Sequence, residues 1–401
     1  MQLNLLDMLT AFSFCLDEVE RSIAGRADEH GLRVAFMTER MAKAAGISGD
    51  DLLTLTGCAI LHDNAMNQHL SKHKARELGD TELLKRADID HCIIGEEQQK
   101  LIPFPSDSST YILYHHERAD GKGPFGKREG EFRLGSALIY LSDSLDIRFH
   151  LQDMTEETYQ KVLDFVKRKT GNEFCREAVD LFYKALSIDA FEEADRMGLR
   201  SSIEKDVSCD TGDYTEEEIR NLVAFFTRII DYKSSFTSDH SKGVADKAEK
   251  MARFYGWPED KVIRFYFAGA MHDVGKIFIS HDILEKPGKL DTYEFETMKN
   301  HAAGTLRILR QIRGLEDITE WAANHHEKLD GKGYSRGLTA DQLTFEDRLM
   351  GCCDIYQALR ETRPYKDGMS HDKAIEIMRF MAEQNKIDGR IVEDMDRVLG
   401  N

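Results

Sequence analysis

Seven positions bearing imidazole or carboxylate side chains recur along the chain at a near-constant offset. His30, His62, Asp63, His91, His115 and His116 are each followed 210 positions later by His240, His272, Asp273, His301, His325 and His326, and Asp143 is followed 211 positions later by Asp354. Neutral imidazole nitrogen and carboxylate oxygen are the donors that suit iron, manganese and zinc, and the absence of cysteine at the aligned positions disfavours a structural zinc site. One His-Asp dipeptide opposite another could arise by chance. Seven aligned groups confined to these two donor types indicate a metal site that has been duplicated.

The ligands must lie on different elements, because 32 residues separate His240 from His272 and 29 separate His272 from His301. Only tertiary packing can make them converge. Apolar residues recur at helical spacing, as at Leu222, Phe225, Phe226 and Ile229, so an all-α fold is expected. Inward polar ligands on several helices suit a helical bundle, a common frame for dinuclear centres. The pairs His272-Asp273 and His325-His326 would point about 100° apart on a helix, so their members could serve different metals.

The repeat divides the 401 residues into two tandem helical-bundle domains, expected at 1–194 and 214–401. The polar segment 195–213 between them lacks helical periodicity and reads as a linker. Thr215 followed by Glu218 has the form of a capping box opening the second unit.

The net charge of −18 excludes a nucleic-acid polymer as an expected partner, since phosphate-backbone binding depends on clustered Lys and Arg. A small phosphate ligand in a local basic pocket stays compatible with it. No stretch approaches the apolar length of about 20 residues that spans a bilayer. The first 22 residues carry acids and read as an amphipathic helix, not a signal peptide, so a cytoplasmic location is expected. Seven scattered cysteines show no disulfide or zinc spacing. Protein partners are not legible.

The stretches AGAMHDVGKIFISHDILEKPGKL, MKNHAAGTLRIL, NHHEKLDGKGYSRGL and CCDIYQALRETRPYK carry a multi-part signature, HDxGK with HHExxDGxGY and RPYK. Between about His240 and Ile391 the chain closely resembles the HD-GYP family of cyclic dinucleotide phosphodiesterases, within the HD hydrolase superfamily. The resemblance implies that His240, His272, Asp273, His301, His325, His326 and Asp354 are metal ligands, with Asp273 bridging two ions and acting in catalysis. It further implies that Lys276 contacts phosphate and assists catalysis, and that Tyr334, Arg363 and Lys366 bind substrate. Two divalent ions are expected, iron or manganese before zinc, because the position at which some members carry a third-metal glutamate is Phe236. A second departure is Ser335, where the family has proline after the motif tyrosine. Glu327 and Asp330 could orient a ligand histidine, and Gly331 and Gly333 suit a tight turn. His69, His73, His150, His281 and His371 have no counterpart among the ligands and read as surface residues. Cys352 and Cys353 read as core.

The first unit keeps all seven expected ligands, a possible second metal site comprising His30, His62, Asp63, His91, His115, His116 and Asp143, but its phosphate grips are missing. Met66 stands opposite Lys276, Gln152 and Thr155 stand opposite Arg363 and Lys366, and Phe125 is the nearest substitute for Tyr334. It reads as a degenerate sister domain with a regulatory or structural role. The function expected is metal-dependent hydrolysis of a cyclic dinucleotide, cyclic di-GMP first and 3',3'-cyclic GMP-AMP as the alternative, to the linear dinucleotide, with further hydrolysis to mononucleotides left open. Two other readings remain open: a catalytically silent cyclic-dinucleotide or metal sensor, and a generic HD nucleotide phosphohydrolase.

Overall fold

Leu222, Phe225, Phe226 and Ile229 form one buried face of a helix, as their spacing requires. The computed structural model describes residues 1–24, 29–65, 81–152, 154–207, 210–231, 237–286, 288–362 and 367–400. It is all-α apart from two-residue strands, and it divides into two units, Leu5–Asp210 and Met1–Asn4 with Thr211–Asn401.

In the first unit the described helices are α1 (Leu5–Ala24), α2 (His30–Ala44), α3 (Gly49–Ile60), α4 (Thr81–Gln99), α5 (Leu134–Phe149), α6 (Glu156–Lys169), α7 (Arg176–Ala185), α8 (Ile188–Met197) and α9 (Leu199–Glu204). The second holds α10 (Glu216–Asp231), α11 (Thr237–Phe254), α12 (Glu259–Met271), the 3-10 turn Val274–Phe278, α13 (His281–Leu284), α14 (Thr292–Leu309), α15 (Glu316–Ala323), α16 (Phe345–Arg360), α17 (His371–Glu383) and α18 (Gly389–Leu399). Strands β1 (Gln2–Leu3) and β2 (Gly212–Asp213) pair antiparallel, with Gln2 opposite Asp213. The first four residues therefore belong to the second unit, where Leu3 is fully buried.

The segment 195–213, expected as a linker, supplies helix α9, whose Ser202 and Ile203 are buried, and Arg40 donates to both Ser202 and Asp206. Six helical residues are too few for a periodic signal. The units divide at Asp210 and Thr211 instead. The capping box at Thr215 and Glu218 forms as expected, Thr215 N–H donating to the carboxylate at 2.7 Å and Glu218 N–H to the hydroxyl at 3.3 Å. Further boxes at Asp291/Glu294 and Thr344/Asp347 set the starts of α14 and α16, the helices that carry His301 and Asp354.

Glu39, on α2, is fully buried and among the described residues neither carboxylate oxygen has a hydrogen bond, the Arg40 guanidinium approaching only to 3.6 Å. Burial pushes its pKa up from 4.5 to about 7. Because the folded pKa lies above the unfolded one, the folded state is favoured at low pH and loses stability as pH rises from 4.5 through 7. Glu39→Gln is expected to stabilise the first unit by roughly 3 kcal/mol at pH 8 and by little near pH 4.5. Calorimetric unfolding of the full chain at both pH values measures this, and an equal shift at the two would contradict it.

Candidate metal centres

Helices α11, α12, α14 and α16 and the turn after α15 bring all seven predicted residues of the second unit to one place. His240 lies in the first turn of α11, His272 caps α12, His301 is mid-way along α14 and Asp354 lies within α16. His325 and His326 follow the end of α15. Both adjacent pairs therefore sit at helix ends, not within a helix as expected, and the His325 and His326 rings lie 4.0 Å apart. Asp273 is 2% exposed and its two oxygens face different histidines. Oδ2 lies 3.2 Å from His272 Nε2 and 3.9 Å from His240 Nε2. Oδ1 lies 3.3 Å from His301 Nε2 and 4.0 Å from His325 Nε2. Asp354 closes the other side, with Oδ1 3.0 Å from His240 Nε2 and Oδ2 3.7 Å from His326 Nδ1.

The backbone selects the tautomer of three of these rings. The Nδ1–H groups of His272, His301 and His325 each donate to the carbonyl three residues earlier, Gly269, Met298 and Ala322, at 2.7, 2.7 and 2.6 Å. Each Nε2 lone pair then faces the cluster, the arrangement a ligating imidazole needs. Burial holds His301 and His325 below their usual pKa and His326 down at about 3, so all three are neutral donors. His240 differs. Burial pulls it down, but the Asp354 and Glu361 carboxylates prevail and raise it to about 9. Burial opposes ionisation of Asp273 and Asp354, yet the surrounding histidines, with Lys276 for Asp273, keep both carboxyls well below the usual range.

Lys276 reaches this cluster because the 3-10 turn lies flat on α14. A Cβ on Gly275 would meet the His301 carbonyl oxygen at 1.9 Å, so only glycine permits the approach. Gly275 N–H donates to Thr305 Oγ1, whose hydroxyl donates to the His272 carbonyl at 2.7 Å. The Lys276 ammonium ends 2.5 Å from Asp273 Oδ2. Tyr334 packs on His326 with ring centroids 4.5 Å apart, and burial pushes its hydroxyl pKa up. Arg363, Lys366 and Phe236 lie outside the described residues, as do Met66, His69 and His73.

In the first unit the same geometry recurs. Asp63 Oδ1 lies 2.8 Å from His91 Nε2 and 3.8 Å from His115 Nε2, while Oδ2 lies 3.7 Å from His62 Nε2. Asp143 Oδ1 lies 3.4 Å from His30 Nε2 and 3.6 Å from His62 Nε2. His116 stacks 3.9 Å from His115. His62 and His115 donate Nδ1–H to the carbonyls of Ala59 and Ile112. Burial takes His115 down to about 3. Ala65 replaces the glycine equivalent to Gly275.

The residues fit divalent metal in both units. Nitrogen and oxygen donors suit a first-row ion. Among the described residues, Nε2 of His62, His115 and His272 and Oδ1 of Asp143 are buried without a hydrogen bond, a costly state unless another group binds them. Donor atoms of His240, His272 and Asp273, and separately of His301, His325 and His326, lie within 4.8 Å of one another, as do two such groups sharing Asp63 in the first unit.

Two orienting acids were missed in the sequence. Glu361 sits 3.2 Å from His240 Nδ1. In the first unit Asp146 plays that part, 2.6 Å from His30 Nδ1 and held by two bonds from Arg33. Asp146 follows Asp143 by three residues on one face of α5, so spacing could have flagged it, whereas Glu361 is the extended residue that caps α16, beyond the reach of a helical pattern. Glu327 and Asp330 do something else. Glu327 accepts the N–H groups of Arg336, Gly337 and Leu338, and Asp330 accepts that of Lys332, so they brace the loop instead of a histidine. Gly331 has φ +70°, and a Cβ on Gly333 would meet Glu327 Cα at 2.4 Å. His371 is half-buried, bridging Tyr356 and Asp396 at 2.8 and 2.9 Å, whereas His150 and His281 are exposed. Cys352 and Cys353 are buried as expected.

The HD domain family matches residues 224–391, and an HD domain match also covers residues 27–148. The chain belongs to the HD-domain family, as two HD domains in tandem. It is 27% identical over 392 residues to 3'3'-cGAMP-specific phosphodiesterase 1 of Vibrio cholerae, covering 95% of this chain and 89% of that one. A probable cyclic di-GMP phosphodiesterase of the same organism is 32% identical over 224 residues, 49% of this chain and 51% of its own. A crystal structure of the V. cholerae cyclic GMP-AMP specific phosphodiesterase V-cGAP3 superposes with TM-score 0.67 at 20% identity, covering 100% of this chain and 98% of that one, which establishes a shared fold. Among the described residues no helix is long and apolar enough to cross a membrane.

Proposed function

We propose that the chain is a metal-dependent phosphodiesterase that opens a cyclic dinucleotide to its linear form, and that the second unit carries the reaction. The observation that carries this reading is Asp273. Its two oxygens divide between two histidine groups while Lys276 shares one of them, so this carboxylate could serve both ligand groups with a phosphate-neutralising cation beside it. His240, His272, Asp273, His301, His325, His326 and Asp354 would hold two divalent ions, iron or manganese before zinc, which when bound would supply Lewis-acid activation of water and of the phosphoryl oxygens. Asp273 and Asp354 set the spacing of the ligand groups. Glu361 fixes the His240 ring, and the backbone carbonyls fix His272, His301 and His325. Lys276 neutralises charge that builds on the non-bridging oxygens. Tyr334 walls the side beyond His326, and Arg363 and Lys366 complete the grip on substrate.

Of the two candidate substrates, 3',3'-cyclic GMP-AMP has the wider support, because the relative matched along 95% of the chain bears that name while the cyclic di-GMP relative matches 49%. The first unit binds metal through its own seven ligands and has no hydrolytic role. Anaerobically purified, metal-loaded protein is expected to linearise 3',3'-cyclic GMP-AMP at least tenfold faster than cyclic di-GMP, a modest selectivity of the kind one or two base contacts give. Chromatography of the products measures it. Failure to cleave either substrate would leave the silent-sensor reading in its place.

A further inference from the structure

We infer that Lys299 and Phe295, with Tyr334, form a subsite for the half of a cyclic dinucleotide that is not being cut, the lysine binding its phosphate and the aromatic faces a base. This rests on the phosphodiesterase reading above. Lys299 is on α14, two residues before the ligand His301, and Phe295 lies one turn earlier on the same face. The Lys299 ammonium is 4.9 Å from the Phe295 ring centre and 5.9 Å from that of Tyr334. Tyr334 in turn packs on His326. A continuous row of ring, ring, cation and ring thus runs outward from the metal cluster.

Phe295 is 48% exposed. A single exposed aromatic is ordinary, but this one lies beside a lysine whose one ion pair among the described residues is with Glu296, at 2.6 Å, the two side chains being 29% and 61% exposed. Such a pair contributes little and exchanges readily for a phosphate. The internal duplication supplies an independent observation. All seven metal ligands persist across the offset, whereas Lys276 becomes Met66, Lys299 becomes Ile89 and Phe295 becomes Lys85. Lys299 and Phe295, like every position of α14 other than His301, therefore differ between the units, and the first unit lacks this cation and ring together with the phosphate contact. A cyclic dinucleotide has two phosphodiesters on opposite sides of its ring. With one at the metals, the other needs a cation beyond them, and a base needs a flat apolar face.

The test compares Lys299→Ile and Phe295→Ala with the wild type, all metal-loaded, on 3',3'-cyclic GMP-AMP and on bis(p-nitrophenyl) phosphate, which has no second half. Loss of a charge-assisted contact is expected to raise KM for the cyclic substrate about tenfold or more. Its kcat should stay within about twofold, Lys299→Arg should recover most of the KM, and kinetics on the small diester should hold. Unchanged KM for the cyclic substrate in both variants, or an equal loss on both substrates, would overturn the subsite and leave the phosphodiesterase reading standing. A metal-loaded wild type that cleaves no cyclic dinucleotide would overturn that reading, and the subsite with it.

Discussion

Asp273→Asn is expected to lower turnover of a cyclic dinucleotide by at least about 10³-fold and to strip metal from the second unit. The amide keeps the shape of the carboxylate but removes its charge and turns one oxygen into an N–H donor. Asp273 is 2% exposed, and each oxygen faces a different histidine group, so either orientation of the amide aims a donor at one of them. Neutral His301, His325 and His326 cannot replace the lost charge. Asp63→Asn makes the same change in the first unit and should remove metal there while turnover stays within about threefold of wild type. Metal analysis and steady-state kinetics on the two variants separate the units. If Asp63→Asn abolished turnover and Asp273→Asn did not, the assignment of chemistry to the second unit would be reversed.

The convergence of these histidines and aspartates was legible because duplication gave each of them a second witness, and a recurring residue type at a constant offset needs no knowledge of the fold. The helical class was legible for a similar reason: repeated apolar faces such as Leu222, Phe225, Phe226 and Ile229 average over many turns. Single events were harder to see. Helix α9 has only six residues, and the β1–β2 pairing joins residues about 210 positions apart, a contact no local pattern encodes. Glu327 reads in sequence as an acid able to orient a histidine, but its carboxylate turns to the N–H groups of the loop, a partner set that spacing does not reveal. Gly275 was visible only as part of a motif. Its purpose, letting the turn lie against α14 so that Lys276 reaches the cluster, is a distance of 1.9 Å that spacing cannot predict.

Lys276→Met, which installs the residue found at the equivalent place in the first unit, is expected to lower kcat about 100-fold with a smaller change in KM. The Lys276 ammonium lies 2.5 Å from Asp273 Oδ2, and its side chain is only 21% exposed, so its charge acts where water screens it poorly. A cation placed there serves the transition state, in which negative charge on the phosphoryl oxygens is greatest. It contributes less to the substrate, whose diester carries a single charge. A merely structural lysine predicts a different pattern. If Lys276 served only to neutralise Asp273, its removal would weaken folding and leave kcat of the folded, metal-loaded fraction intact. Metal content distinguishes the two further, because deleting a positive charge beside Asp273 should leave metal affinity equal or higher. Metal per chain at or above the wild-type value together with the fall in kcat would assign Lys276 to the reaction, whereas kcat within about threefold of wild type would reduce it to the counter-ion of Asp273.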